Sequence, residues 1–356
     1  MRIRIASKTN LSRSQEIFLR ILGILLAFFA GGIFLLLLGL NPIEVYPAIF
    51  AGAFRSTLSI QATVKILIPM IMTSLGLTFA FKMKFWNIGG EGQIVMGAIF
   101  ATYFALFCSN WNHYLLIAVM LIAGMVGGAL WGLIPAFFKL KYGTNETLLT
   151  LMLNYIAVNI VCYLKEGPWR DAKAQGFSKI PRFDNNAVLD KVFGVHCGWI
   201  FAIIILIFTF IYLNYTKKGY EISVVGYSAK TAEYAGMQVK KIILRTMLIS
   251  GAICGLVGMV QTTGSDITLT DEVAGGVGFS GVIIAWLSKL NPFVIVIVSG
   301  FFAVLEKGSS VVQSQYGLST DCADVLQGIF LFFIMGCEFF TRYQIILDKR
   351  GGKKNA

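Results

Sequence analysis

The groups best placed to do chemistry in this chain are amides and carboxylates, set where long apolar runs meet. Phe85 to Gln93 reads FWNIGGEGQ: three glycines, an Asn, a Gln and the acid Glu91, with Lys82 and Lys84 just ahead. Asn and Gln hydrogen-bond unwound backbone, and glycines let backbones approach closely. Non-helical backbone at membrane depth is tolerated only where protein buries it or where it lines a water-filled cavity. The segment therefore reads either as a turn joining two helices or as the structured mouth of a passage. A second cluster, Asn145, Glu146, Asn154 and Asn159, lies at the start of a later apolar run and within it. Asn87, Glu91, Gln93, Asn145, Glu146, Asn154 and Asn159 are the candidate polar groups beside a passage. The competing reading of each is an interhelical hydrogen bond that only holds a bundle together, worth roughly 0.6 kcal/mol on average.

The elements that must position these groups are membrane helices. Of 356 residues, 56% are hydrophobic and 13% charged, and the mean hydropathy is +0.74. Ordinary globular domains carry about 25% charged residues. Barrel strands would alternate polar and apolar residues, which these runs do not, so the fold class is an all-α polytopic membrane protein. Ten spans are predicted, at about 17–40, 62–81, 92–108, 114–138, 146–164, 198–215, 242–262, 276–289, 292–306 and 323–341. The eighth and ninth are short for a bilayer and meet at Asn291-Pro292, as half-helices or one broken pair would. The first run, preceded by basic residues, imitates a secretion signal. It exceeds the roughly 7–15 apolar residues of a signal core and reads as a retained helix.

The formal charge of +12 would suggest nucleic acid in a soluble protein. Here it is explained by orientation. With the N-terminus inside, 21 of the 30 Lys and Arg fall on the inner side, where cytoplasmic segments carry their excess. Six of the other nine lie in an extracytoplasmic loop, 165–197, whose acids Glu166, Asp171, Asp184 and Asp190 largely offset them. Both termini and the polar segment 217–241 are then cytoplasmic. Gly124, Gly128 and Gly132, and Gly251 with Gly255, repeat every four residues, a spacing that lets helices approach closely in lipid.

Several activities are disfavoured. Six cysteines form no CxxC pair, and the only histidines are His113 and His196, so no metal site is expected. No phosphate-binding loop of the G-x-x-x-x-G-K-[ST] kind occurs. Gly276, Gly278 and Gly281 spell GxGxxG, but before an apolar span rather than after a strand, so dinucleotide binding is not expected. No His, Cys and Ser constellation suggests an enzyme. The acids nearest the spans sit at their ends: Glu91, Glu146 and Glu338 near inner ends, Glu306, Asp321 and Asp324 near outer ones. Ion-coupled carriers usually keep ionisable groups inside their spans. A passage without such a group, and without a phosphate loop, needs an external energy source.

Segment 217–241, KKGYEISVVGYSAKTAEYAGMQVKK, is where that source would dock. A short helix is predicted over 231–239 from the spacing of Ala232, Ala235 and Val239, with Gly226 breaking what precedes it. The alternative is a solvated connector.

Ile68 to Ala98, IPMIMTSLGLTFAFKMKFWNIGGEGQIVMGA, resembles the ABC-importer permeases for nucleosides and simple sugars, within the ribose and branched-chain amino-acid permease superfamily. Asn87, Ile88, Gly89, Glu91, Gly92 and Gln93 match the family's N-I-G-x-E-G-Q. Asn145, Glu146, Thr150, Met152, Leu153, Asn154, Ile156 and Ala157 match its N-E-x-x-x-T-x-M-L-N-x-I-A stretch. Val225, Gly226 and Tyr227, then Ala235 and Gly236, are similar to its ATPase-coupling segment. Lys82, Lys84 and Phe85 stand where the family usually carries Arg, Gly and Leu. The resemblance implies ten helices in two inverted five-helix halves, the type II ABC importer permease fold, in a bacterial cytoplasmic (plasma) membrane. It implies three partners: an ABC ATPase subunit, a second and non-identical permease subunit, and an extracytoplasmic substrate-binding lipoprotein. No cofactor is expected in this chain; ATP and Mg would reside on the ATPase. The expected function is translocation of nucleosides or related simple sugars. The alternatives are an ion-coupled secondary transporter, or an ABC permease for another small solute such as ribose.

Overall fold

The computed structural model describes residues 2–7, 12–174, 176–317, 325–326, 328–330, 332–333, 336–337 and 343–348. Two compact units are present: residues 1–59 with 304–356, and residues 60–303.

In the first unit, β1 (Arg2–Ser7) pairs antiparallel with β4 (Tyr343–Asp348). Helix α1 (Arg13–Leu37) starts at Ser12, whose hydroxyl and the Gln15 side chain form a reciprocal cap, satisfying two amides that helical pairing leaves over. A bend of 111° separates it from α2 (Pro42–Phe54). That second helix was not among the expected elements. Its signal was present: Asn41 caps it through the Ile43 amide, and Pro42 occupies the first turn, where a missing N–H costs nothing.

The second unit holds α3 (Thr57–Lys82), α4 (Gly90–Phe107), α5 (His113–Tyr142), α6 (Glu146–Glu166), α7 (Gly198–Tyr215), α8 (Lys217–Tyr227), α9 (Ala229–Tyr234), α10 (Val239–Val260) and α11 (Val277–Leu287). A short hairpin, β2 (Lys191–Val192) with β3 (Val195–His196), lies between α6 and α7. Every residue of α3 from Ile68 to Phe81 is buried, which is why this helix is apolar all round rather than striped. Glycines draw α4, α5 and α10 together. A methyl group on Gly255 would sit 2.2 Å from the Gly124 carbonyl oxygen, and one on Gly97 would lie 2.2 Å from that of Gly255. The four-residue glycine repeats of α5 and α10 thus face each other. Lipid supplies no hydrophobic drive between helices, so close backbone packing takes its place.

Helix α12 (Pro292–Tyr316) begins in this unit, with Asn291 capping the Phe293 amide. It runs ten residues past the expected end at 306, so it is a full-length helix rather than a half-helix. Among the described residues, seven helices are long and apolar enough to cross a membrane, or eight if the bent pair counts as one span; α11 is shorter. The last expected span, 323–341, lies largely outside the described residues.

The segment 217–241 differs from expectation. It forms two helices: Thr216 caps α8 through the Gly219 amide and Ser228 caps α9 through the Thr231 amide. Gly226 lies inside α8 and does not break it. The predicted 231–239 helix is displaced, because α9 ends at Tyr234 and the chain turns away at Gly236. There φ is +75°, and Met237 and Gly236 donate to the Ala232 and Glu233 carbonyls, a closing geometry that glycine adopts without strain. Of the six cysteines, Cys108, Cys162, Cys197, Cys254 and Cys337 are described, and all are free.

Candidate functional site

The stretch from 83 to 93 is a turn locked from both sides. Helix α3 ends with Lys84 at φ 57°; the Lys84 and Phe85 amides donate to the Phe81 and Ala80 carbonyls, the pairing a glycine usually completes. Asn87 is wholly buried. Its Oδ1 accepts from the Gly89 amide at 3.0 Å and from Gln93 Nε2 at 3.2 Å. Its Nδ2 donates back to Gln93 Oε1 at 3.4 Å and to Ser250 Oγ of α10 at 3.5 Å. Asn154 of α6 accepts from the Gly92 amide at 2.8 Å and donates to the Ile88 carbonyl at 2.9 Å. Thr150, one turn earlier, accepts from the Ile88 amide at 3.2 Å. Two side-chain amides, Asn87 and Asn154, and the Thr150 hydroxyl thereby satisfy the unwound backbone, while Gln93 and Ser250 hold the Asn87 side chain in place.

Glu91 does something separate. Its two carboxylate oxygens accept from the Gly276 and Gly278 amides at 2.8 and 2.7 Å, the first free N–H groups of α11. Gly276 carries no side-chain cap of its own and sits at φ 78°. A carboxylate on another helix therefore caps α11, where orphan amides and the helix dipole both favour negative charge. On the same short helix, Trp286 stacks on Trp86 with ring centres 5.0 Å apart.

The remaining candidates lie elsewhere. Asn145 caps α6 through the Thr147 and Leu148 amides, at 3.0 and 3.3 Å. Glu146 forms an ion pair with Lys139, whose ammonium lies 5.0 Å over the Phe85 ring. Asn159 is on the exposed face of α6 and donates to the Tyr155 carbonyl at 2.8 Å. Beside it stand Met152, Tyr155 and Tyr163, exposed by 63%, 65% and 70%. The signal for this face in the sequence is their spacing with Asn159 along α6, in steps of three and four. Ser250, Gly276 and Gly278 were missed as partners, because pairings across 163 to 187 residues leave no local pattern.

In the segment resembling a coupling region, Val225 and Gly226 are buried. A methyl on Gly226 would meet the Lys82 carbonyl oxygen at 2.2 Å, so α8 lies directly against the end of α3. Tyr227 and, unexpectedly, Tyr234 point outward, the second immediately ahead of Ala235 and Gly236.

At the opposite end, the 165–197 loop packs over 263–271. The Phe183 and Leu189 amides donate to the Ile267 and Thr263 carbonyls. Burial, with Lys65 nearby, lowers His196 to about 4. Lys165 donates to Asp271 at 2.8 Å and holds that carboxyl below its usual value. Among the described residues, no three His, Cys, Asp or Glu side chains gather as metal ligands would.

The chain is thus a helical membrane bundle with an unwound, amide-locked turn and two short polar helices, α8 and α9, the first packed against the end of α3. The sequence profile of the branched-chain amino acid transport system / permease component family matches residues 59–335, and the chain belongs to that family. Its relatives are ABC permease subunits, transport components rather than enzymes. The glucose ABC transporter permease of Haloferax volcanii is 29% identical over 346 residues, covering 93% of this chain and 90% of the relative. The guanosine ABC transporter permease of Bacillus subtilis is 27% identical over 348 residues, covering 95% and 99%. The nucleoside ABC transporter permease of Lactococcus lactis is 29% identical over 342 residues, covering 91% and 92%.

Proposed function

We propose that this permease is the translocation subunit of an ATP-driven importer that brings nucleosides or related simple sugars across a bacterial cytoplasmic membrane. ATP and Mg reside on a separate ATPase subunit. A second, non-identical permease completes the passage, and an extracytoplasmic lipoprotein delivers the cargo. The complete bundle has ten helices in two inverted halves, with both termini cytoplasmic; direct pairing of β1 with β4 supports a shared face for the termini.

The observation that carries the cargo reading is the exposed stripe of α6, Met152, Tyr155, Asn159 and Tyr163. Flat aromatic rings beside an amide suit a base or sugar ring that must be both stacked and hydrogen-bonded. The relatives named for guanosine, nucleosides and glucose support the same range of cargo. Asn87, Gln93 and Asn154 shape the passage from behind by holding the turn, Asn145 and Glu146 anchor the inner end of α6, and Glu91 holds α11. Coupling runs through Val225, Gly226, Tyr227, Ala235 and Gly236: α9 docks on the ATPase, and α8 passes its movement to the end of α3.

Uptake of radiolabelled nucleosides and sugars by cells lacking the gene tests this. Loss of nucleoside uptake, restored by the wild-type gene but with weakened saturation in Tyr155→Ala and Asn159→Ala, is the expected result. Normal entry of all nucleosides with loss of ribose or glucose moves the cargo to free sugars. Normal entry of both classes overturns the proposal. Orientation is tested by impermeant thiol labelling of intact cells, with single cysteines at Ser178 and Ser228 in a cysteine-free background. Only the first should react.

A further inference from the structure

Two cavities in residues 60–303 meet at one side chain. The first is a groove of about 560 Å³ between α4 and α5, walled by Ile99, Tyr103, Phe104, Ile122, Val126 and Trp169. Its walls are apolar, and Tyr103, Ile122 and Val126 are exposed on the flank of the bundle. The second, of about 350 Å³, shares Trp169 and lies beyond the end of α4, beside Ala105 to Phe107. It carries Arg170, Arg182 and Asp184. Neither cavity includes the α6 stripe or the amide-locked turn.

The pair has the form of an amphiphile: an apolar trench in the span, and a charged cup where the span ends. Trp169 stands between them, at the level where indoles gather in membrane proteins. The cup holds two guanidinium groups and one carboxylate, a formal charge of +1. One phosphodiester neutralises that, and guanidinium forks match phosphate oxygens. A zwitterionic headgroup would leave the +1 unbalanced. A helix of a partner protein would fill the trench and leave both arginines without anions. We propose that the two cavities together bind one phospholipid of net charge −1. An acyl chain lies in the α4–α5 groove, the phosphodiester sits on Arg170 and Arg182, and a hydroxyl of the headgroup donates to Asp184. On the orientation proposed above, this lipid belongs to the outer leaflet.

The test uses the full-length protein in neutral detergent, titrated with phosphatidylglycerol or phosphatidylethanolamine and read by native mass spectrometry. Phosphatidylglycerol is expected to be retained more strongly, by roughly fivefold for each arginine facing an anionic headgroup. Arg170→Gln with Arg182→Gln should abolish that preference, weakening phosphatidylglycerol more than phosphatidylethanolamine, whose phosphodiester loses the same guanidinium partners; both side chains are exposed, so folding is not at stake. Val126→Trp, which fills the trench, should weaken both lipids. Equal retention of the two lipids by the wild type, or a preference that survives the double substitution, overturns the proposal. So does a photo-crosslinker at Ile122 that, in the assembled importer in membranes, captures another subunit instead of lipid.

Discussion

Glu91 is the most exposing place to perturb this permease, because one side chain joins two helices that are far apart in the chain. Glu91→Ala removes both acceptors from the Gly276 and Gly278 amides, now at 2.8 and 2.7 Å. Hydrogen bonds to charged groups contribute about 1.5–3 kcal/mol each in soluble proteins, and polar contacts between membrane helices average about 0.6 and reach about 1.7. Glu91 is buried at the end of a span, so a value between those ranges applies to each bond. The helix-terminus charge adds about 0.3–1 kcal/mol. Glu91→Ala should therefore cost about 2–4 kcal/mol. Glu91→Gln keeps one oxygen but turns an NH₂ toward a donor, and should cost about 1–2 kcal/mol on the same scale. The readout is built in. Trp286 of α11 stacks on Trp86 at 5.0 Å with planes 15° apart, so undocking α11 changes tryptophan emission before the bundle unfolds. Denaturant titration of the purified chain, followed by fluorescence, gives both quantities. Gly278→Ala is the companion variant: its methyl would sit 2.2 Å from the Glu91 amide nitrogen, and it should reproduce the fluorescence change with the carboxylate intact. An alanine variant within about 0.5 kcal/mol of wild type, with unchanged emission, refutes the capping argument, because ordinary surface changes are of that size.

Three further outcomes follow from the same geometry. Lys84→Gly should raise the melting temperature, because Lys84 sits at φ 57°, a conformation that costs a side-chain-bearing residue about 1–2 kcal/mol; a lower melting temperature contradicts this. His196 is held neutral, with its pKa at about 4 against 6.5 unfolded, so its contribution is complete above pH 6.5 and lost as pH falls through 4; about 3 kcal/mol should disappear over that window, and His196→Gln should flatten the decline in a pH series of denaturant titrations. Gly236→Ala and Gly236→Trp should share a small loss of stability from the φ of +75°, while only the tryptophan abolishes ATPase pull-down and nucleoside-stimulated hydrolysis in liposomes; unimpaired pull-down by both moves the coupling contact elsewhere, first to Lys139–Glu146.

Much of the fold is legible in the sequence. Long apolar runs announced helices because a backbone in lipid must satisfy its own hydrogen bonds within the segment. The polar stretch 85–93 stood out because amides between two such runs need partners. Local capping chemistry is present in the sequence too: Asn41-Pro42, Thr216 and Ser228 each mark a helix start by the reach of a side chain to an amide two or three residues on. Those caps start α2 and divide 217–241 into two helices, with Gly226 inside the first.

What the sequence determined by itself was the solvent, the helical class and the family, since these depend on composition, run length and motif order along one dimension. Tertiary structure alone decided which polar groups face one another. Asn87, Gln93 and Asn154 turned inward to hold a turn, whereas Asn159 stayed on an exposed face with Tyr155 and Tyr163. Glu91 found its partners 185 and 187 residues away. An amide or carboxylate carries the same label in the chain whether it lines a passage or caps a helix. Its role is set by the donors and acceptors within about 3 Å, and those arrive only when the helices have packed.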